Sequence, residues 1–364
     1  MATDWLFYYL YSGKPIDRVS TALLTFPPTR SVRRINARLG YATKHFLYMK
    51  IVILDADTLG GGAFLEEAGI APRMREFGTL EVYGRTAPDQ TAERLKDAEI
   101  ALSNKVVING DIMAVAPQLK LICVTATGVN NIDLKAAADR GIAVRNVDDY
   151  SSESVMNVTF MHIFALLSHG PAWDSFAKSG AWTASGLFTD VTRPWPQLAG
   201  KQIGIIGMGR IGSRVACVAQ AFGMKVTYFS TSGTGHCKDY PSLSLEELLK
   251  TSDIVSIHAP LNDRTRGLIG APELRMMKKT AILINVGRGG IVNEADLAAA
   301  LDAGTIAGAG LDVFTKEPLP AGNPLLHLQH PERASLSPHV AWTSNEARAL
   351  LLERTIDNIK NFLG

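Results

Sequence analysis

At 364 residues the chain has room for two hydrophobic cores, at roughly 150 residues per domain. With 46% hydrophobic and 20% charged residues it is too apolar for a disordered chain and too regularly broken by charge for a membrane protein. Its 37 basic and 35 acidic residues nearly cancel, and interspersed charge without a concentrated basic face argues against nucleic acid as a partner.

That balance hides a split. Residues 1–48 hold seven basic residues against Asp4 and Asp17, a local net of +5, which leaves 30 basic and 33 acidic residues in 49–364. The same segment carries nine of the 27 aromatic residues, and Pro27-Pro28 interrupts it. It reads either as an Arg-rich targeting peptide or as sequence upstream of a true start at Met49, the second reading being favoured because Met49 opens a self-sufficient strand. The longest apolar run, 155–167, contains Asn157 and His162 and is too short to cross a bilayer. Cys123, Cys217 and Cys237 form no CxxC and sit beside no histidine cluster. Reduced thiols in a cytoplasmic setting, with no metal, are expected.

From residue 49 onward β-branched runs alternate with helical patterns, the signature of parallel α/β sheets. In the first half, strands are predicted at 50–54, 80–83, 100–102, 120–124 and 143–146. Helices are predicted at 91–96 and 134–140, the latter capped by Gly141. Gly60-Gly61-Gly62 lacks the spacing of a phosphate loop and reads as a flexible turn. A long helical stretch over 151–178 follows, then an irregular segment with Pro194 and Pro196. A second series opens with strand 202–206, helix 211–222 closed by Gly223, and strand 225–229. Strands at 254–258, 281–286 and 308–314 complete it, with helices at 272–278 and 294–303. The last segment, 344–362, reads as one amphipathic helix with Ala347, Leu350, Leu351 and Ile359 on a common face.

Gly207-Met208-Gly209-Arg210-Ile211-Gly212 is a GxGxxG sequence that follows an apolar strand and opens a helix, the context of a dinucleotide fingerprint. Gly207 allows the tight turn, Gly209 lets the pyrophosphate approach, and Gly212 lets helix and strand pack closely. The amides of Arg210 and Ile211 would meet the phosphates at the helix N-terminus. Where an acid should bind the adenosine ribose, the sequence has Ser230, Thr231 and Ser232. Without that charge a 2′-phosphate is not repelled, so NADP is expected to be tolerated or preferred, with NAD not excluded.

Arg288, Glu317 and His339 stand out further along, the first two directly after predicted strands, where open parallel sheets bind ligands. With Ala126-Thr127-Gly128-Val129-Asn130-Asn131-Ile132-Asp133, Tyr150-Ser151-Ser152-Glu153-Ser154-Val155 and the glycine fingerprint, they make residues 49–364 resemble the D-isomer-specific 2-hydroxyacid dehydrogenases. Spacings of 29 and 22 between the three residues fit that pattern. Pro338-His339-Val340-Ala341-Trp342, followed by Glu346-Ala347-Arg348, looks most like the glycerate dehydrogenase (hydroxypyruvate reductase) branch.

The resemblance implies that His339 is the general acid/base, that Glu317 holds its other ring nitrogen and favours the protonated form, and that Arg288 polarises the carbonyl and binds the carboxylate. Thr127 and Gly128 would hold the carboxylate through their amides, and Lys105 is either a substrate contact or a solvated lysine. Asp312 would bind the nicotinamide carboxamide. Ala259, Pro260, Thr265, Val286, Gly287 and Trp342 would line the cofactor together with Arg288 and His339. Met156-Asn157-Val158-Thr159 departs from the family's usual Ala-Gln-His-Thr, which puts helix packing in doubt more than chemistry.

The expected fold is α/β, two Rossmann-like domains, one flavodoxin-like and one NAD(P)-binding, with a cleft between them. Residues 49–152 and 340–364 would form the substrate domain and 153–339 the inserted cofactor domain. The expected function is reversible NAD(P)-dependent reduction of a small 2-keto acid, hydroxypyruvate or glyoxylate first. A chain ending 25 residues after His339 lacks the regulatory domain of many phosphoglycerate dehydrogenases, and the carboxylate of Glu317 disfavours formate-oxidising relatives. The alternative is a dinucleotide-sensing, corepressor-like scaffold of the same fold. The resemblance also implies a homodimer through 151–178, with no membrane or nucleic-acid partner.

Overall fold

The alternating pattern folds into two parallel sheets. The computed structural model describes residues 49–364 apart from His236, so both readings of residues 1–48 concern sequence outside the described residues. In the first sheet β1 (Met49–Ile53), β2 (Gly78–Val82), β3 (Ile100–Ser103), β4 (Leu121–Val124) and β5 (Ala143–Arg145) lie in the order β2-β1-β3-β4-β5. The second contains β6 (Gln202–Ile206), β7 (Lys225–Phe229), β8 (Ile254–Ile257), β9 (Ile282–Asn285), β10 (Gly308–Leu311) and β11 (Ala334–Leu336), in the order β11-β10-β9-β8-β6-β7. Every pairing is parallel. β3, β4, β8, β9 and β10 are buried at every residue, as parallel strands must be when helices cover both faces.

Alternation along the strands feeds two cores per sheet. Ile51 and Ile53 face the C-terminal helix Asn345–Leu363 through its Ala347, Leu351, Ile356 and Ile359, while Val52 faces Leu95, Met113 and Ala137. In the second sheet Ile203, Ile205 and Ile284 meet Phe160 and Ile163 of helix Ser152–Leu167 and Val215 and Ala219 of helix Arg210–Ala221. Val255, Ile257 and Leu283 meet Leu248, Leu274 and Leu297 on the opposite face.

Two neighbouring pairs of strands send their chains in opposite directions, β1/β3 in the first sheet and β6/β8 in the second, and such switch points open crevices beyond the carboxyl ends of the strands. Among the described residues no helix is long and apolar enough to cross a membrane.

Four expectations differ from the structure. Gly60 closes the 3-10 turn Ala56–Leu59 in a left-handed conformation, and Gly61 and Gly62 open the helix Gly61–Glu67 instead of forming a loop. The stretch over 151–178 is two helices, Ser152–Leu167 and Gly170–Lys178, broken at His169 with φ 54°; Pro171 lacks the N–H that a continuous helix would need and clashes with the preceding turn. In the C-terminal helix Leu350 is 38% exposed and Leu352 is buried instead, because the buried stripe follows 347, 351, 355 and 359 with 352 and 356 beside it. β11 and the helices Ile70–Arg75, Gly110–Ala114 and Leu245–Thr251 were not expected.

Candidate active site

β6 delivers the chain to Gly207 with φ 94°, a conformation that only glycine adopts without strain. A Cβ there would meet Ala259 N at 2.9 Å, and one on Gly212 would meet Gly207 O at 2.2 Å. Gly209 has nothing within 4 Å of its Cβ position. It caps helix Arg210–Ala221 without a side-chain hydrogen bond, which leaves the first-turn amides facing open space. This cradle fits a dinucleotide pyrophosphate. Arg210 itself points to Asp149 at 3.6 Å.

Beyond β7, Ser230 Oγ donates to Thr234 O at 2.6 Å and meets Ser232 Oγ at 3.0 Å. Arg264, which sequence reasoning missed, crosses from the loop after β8 and donates to Ser232 O at 3.0 Å. Thr231, Ser232, Pro260, Asn262, Asp263 and Arg264 line a pocket of about 430 Å³. Thr265, by contrast, is fully buried, and its hydroxyl donates to Pro260 O at 2.6 Å. Its side chain therefore locks the loop that carries Pro260.

Ala259, Val286 and Gly287 sit around the same crevice. A Cβ on Gly287 would meet Ala259 O at 3.2 Å, and Val286 lies within the core under β9. The buried Asn285 ties down the turn that follows, donating to Arg288 O at 3.0 Å and accepting from Gly287 N at 3.1 Å. Arg288 is thereby presented from a fixed backbone, with Nη1 donating to Gly287 O at 2.8 Å. Its Nη2 lies 3.2 Å from the Cβ position of Gly128, so the guanidinium stands directly against the loop that leaves β4. Thr127 Oγ1 donates to Val147 O at 3.1 Å, which occupies its hydroxyl.

His339 Nδ1 meets Glu317 Oε2 at 2.7 Å. Burial pushes the Glu317 carboxyl up, but the His339 bond, the Phe314 N–H and the His339 and Lys105 charges hold it below its ordinary range. His339 has φ 54°, a costly conformation for a residue with a Cβ. Asp312 holds it there. Its carbonyl accepts from His339 N at 2.9 Å, and its carboxylate accepts from Val340 N and Ala341 N, both at 2.8 Å, and from the Ser337 hydroxyl. Asp312 is fully buried, so the structure gives it a turn-fixing task that the sequence did not suggest.

Lys105 joins this group. It is open to solvent on one side, yet desolvation and the Arg288 charge lower its pKa while Glu317 and Asp55 oppose them. Asp55, also missed from sequence, shapes the Lys105 loop by accepting from the N–H groups of Asn104, Lys105 and Val106 at 2.7–3.3 Å. A cavity of about 670 Å³ opens beside Lys105 and Pro318. Trp342 is among the residues expected to line the cofactor. It packs edge to face on Tyr150 at 6.3 Å, against the core of the first sheet. Burial pushes the Tyr150 hydroxyl up to about 12, with the Arg288 charge opposing. Among the described residues no group of acidic, histidine and cysteine side chains could hold a metal.

Residues 160–341 match the family model for the D-isomer specific 2-hydroxyacid dehydrogenase NAD binding domain. The chain is 38% identical over 304 residues to a glycerate dehydrogenase of Methylorubrum extorquens, covering 82% of this chain and 95% of that one. It is 32% identical over 320 residues to a hydroxypyruvate reductase of Blautia hydrogenotrophica, covering 86% and 97%. Among solved structures it resembles an NADPH-dependent glyoxylate/hydroxypyruvate reductase from Sinorhizobium meliloti in complex with NADP and malonate, with a TM-score of 0.72, 27% identity, and coverage of 86% and 92%. The chain belongs to the D-isomer specific 2-hydroxyacid dehydrogenase family, NAD(P)-dependent oxidoreductases acting on the CH–OH group of 2-hydroxy acids.

Proposed function

We propose that this enzyme reduces hydroxypyruvate or glyoxylate to the corresponding 2-hydroxy acid in a reversible reaction of the glycerate dehydrogenase type, with NADPH preferred over NADH. The observation that carries this reading is the Glu317–His339 pair at 2.7 Å, together with an Arg288 guanidinium set against Gly128. A 2-keto acid needs an electrophile clamp for its carboxylate and a proton donor for its carbonyl oxygen, and these residues supply both.

Arg288 binds the substrate carboxylate and polarises the carbonyl, and the backbone amides of Thr127 and Gly128 hold the carboxylate from the other side. The bound nicotinamide cofactor supplies the hydride. His339, oriented through Nδ1 by Glu317, gives its Nε2 proton to the carbonyl oxygen. In the reverse direction the same nitrogen takes the proton from the hydroxyl. Lys105 faces the substituent beyond the carbonyl, and its charge favours a short, polar or anionic tail. Glyoxylate, with no tail, and hydroxypyruvate, with a hydroxymethyl group, both suit it.

Residues 49–152 and 340–364 act as the substrate domain, and 153–339 as the cofactor domain inserted between them. The NADPH preference rests on Ser230, Thr231 and Arg264. A homodimer is supported by the apolar surface of Phe164, Leu187, Phe188, Val191 and Trp195, all exposed; a monomer rarely exposes so much large apolar surface in one stretch. Three free cysteines suit a cytoplasmic setting.

The test is turnover of purified protein with hydroxypyruvate, glyoxylate, pyruvate and phosphohydroxypyruvate, followed at the absorbance of NADPH or NADH. The first two substrates are expected to give the highest kcat/KM. His339→Ala is expected to lower kcat by about 10²–10⁴-fold with cofactor binding retained. Near-normal turnover by that variant would remove His339 from the acid/base role.

A further inference from the structure

His162 lies on helix Ser152–Leu167, is fully buried, and has no part in the chemistry above. Both of its ring nitrogens are nevertheless engaged, Nδ1 with Ser335 Oγ at 2.8 Å and Nε2 with Ser337 Oγ at 3.1 Å. Ser337 in turn donates to Asp312 Oδ1, the carboxylate that fixes the His339 turn. A hydrogen-bonded chain therefore runs from the helix, through the end of the second sheet, to the backbone of the proposed acid/base.

The directions of these bonds follow from donor and acceptor capacity. An ionised Asp312 only accepts, so the Ser337 hydroxyl gives it its single proton. Ser337 must then accept from His162 Nε2–H, and Nδ1 accepts from the Ser335 hydroxyl. This is the neutral Nε2–H tautomer, and burial pushes His162 down to about 4, which keeps it neutral across the working range. All the hydroxyls in the chain then point the same way, and each bond polarises the next toward the carboxylate.

We propose that His162 is a positioning residue for catalysis: through Ser337 it aims a hydroxyl donor at Asp312, keeps that buried carboxylate ionised at neutral pH, and so holds the strained His339 turn in its active form. Burial raises the Asp312 carboxyl, while the Ser337 hydroxyl, the Ala341 and Val340 amides and the His339 charge oppose it. The groups facing Asp312 are thus Ser337 at the end of β11, backed by His162 of the helix, and His339, with Glu317 behind it, from the loop side. A protonated Asp312 loses its charge and gives one lone pair to its own O–H, so it holds Ser337, Val340 and Ala341 more weakly. The turn with φ 54° then has weaker bonds to oppose its strain. Activity should fall on the acid side as Asp312 takes up a proton.

The inference rests on the acid/base reading of His339, and the two can fail separately. The experiment is the pH dependence of kcat/KM for hydroxypyruvate with NADPH, measured for wild type, His162→Leu, His162→Gln, Ser337→Ala and the His162→Leu/Ser337→Ala double variant. NADPH binding and thermal melting are followed in parallel. Ser337→Ala removes a donor to the buried carboxylate and is expected to move the acid limb up by about one pH unit, with about a tenfold loss below the limb; His162→Leu leaves the Ser337 hydroxyl without the Nε2–H that aims it and is expected to move the limb the same way, by no more than Ser337→Ala. The double variant should move no further, because both changes break the same chain. His162→Gln, whose amide N–H can reach Ser337, should retain the wild-type limb.

A His162→Leu profile superimposable on wild type would overturn the proposal. So would equal impairment in His162→Leu and His162→Gln, which would make the role one of packing. If His162→Leu does not fold, Ser337→Ala decides, since an unshifted limb there removes the link to Asp312. A dead His339→Ala together with an unshifted His162→Leu sinks only this inference, whereas an active His339→Ala sinks the reading on which it rests.

Discussion

Arg264 lays its guanidinium across the 230–234 turn and donates to Ser232 O at 3.0 Å, at the place where a carboxylate would select against a phosphorylated ribose. A charge-assisted hydrogen bond is worth about 1.5–3 kcal/mol, and a tenfold change corresponds to about 1.4 kcal/mol. Arg264→Glu is therefore expected to raise KM for NADPH by about 10- to 100-fold while changing KM for NADH by less than about threefold. Steady-state kinetics with each cofactor at saturating 2-keto acid reads the difference. Equal losses with both cofactors would mean that the guanidinium supports the loop alone. Asp263 lines the same pocket, so removal of its charge should act in the opposite sense. The serine at position 230 was legible because a missing acid shows in a sequence. Arg264 was not, because its relevance depends on the loop after β8 meeting the loop after β7. Asp55 escaped for the same reason: three backbone N–H groups about 50 residues away give it its role. Arg288, Glu317 and His339 were legible as residue types in a recognisable order, but the support given by Asp312 and Asn285 was not.

Helix Ser152–Leu167 illustrates what decides the placement of an element. Its sequence is apolar nearly all round, and periodicity alone does not orient such a helix. The sheet beneath it does. A Cβ on Gly310 would lie 2.6 Å from His162 Cβ, and one on Gly308 3.1 Å from Leu166 Cδ2, so two glycines of β10 let the helix settle close to the strand. Gly310→Ala should force helix and strand apart and destabilise the protein by about 1–3 kcal/mol through overpacking, whereas Gly308→Ala, whose Cβ would meet Arg333 O at 3.0 Å and the flexible end of Leu166 at 3.1 Å, needs a smaller adjustment and should cost less. Chemical denaturation of both variants orders them, and a Gly310→Ala midpoint equal to wild type would show that the helix is not seated by this contact. Elements with a strong local pattern were legible in the same way: β6 and β7 run over the residues predicted for them. Those resting on tertiary contacts were not. β11 is three half-buried residues held beside β10. The helix Leu245–Thr251 has its capping box of Ser244 and Glu247, but in seven residues only Leu245, Leu248 and Leu249 as an apolar signal. The break at His169 shows the reverse case, where Pro171 was visible and the apolar run concealed its effect.

On the scale of the whole molecule, the described residues bury apolar surface on both faces of both sheets and yet leave one stretch uncovered. Leu187 is 66% exposed, Val191 82% and Phe188 90%, with Trp195 nearby in sequence. Phe164, Leu167, Trp195 and Phe222 line a groove of about 230 Å³, and the Phe164 and Phe222 rings meet edge to face at 5.5 Å. Among the described residues nothing covers Leu187, Phe188 and Val191, and a copy of the same chain offers a matching apolar surface. In the proposed homodimer a second copy would supply an identical apolar segment, and a two-fold arrangement would set each against the groove of the other and close the assembly at two. Light scattering should therefore give about twice the 39.3 kDa chain mass for wild type, and the double variant Phe188→Ser/Trp195→Ser should shift the protein toward the single-chain mass at micromolar concentration. Neither change reaches the Glu317–His339 pair directly, so any activity lost on dissociation measures how far pairing stiffens the helix that carries His162. A wild-type protein that runs as a monomer would leave the apolar stretch without this partner and break that link between assembly and catalysis.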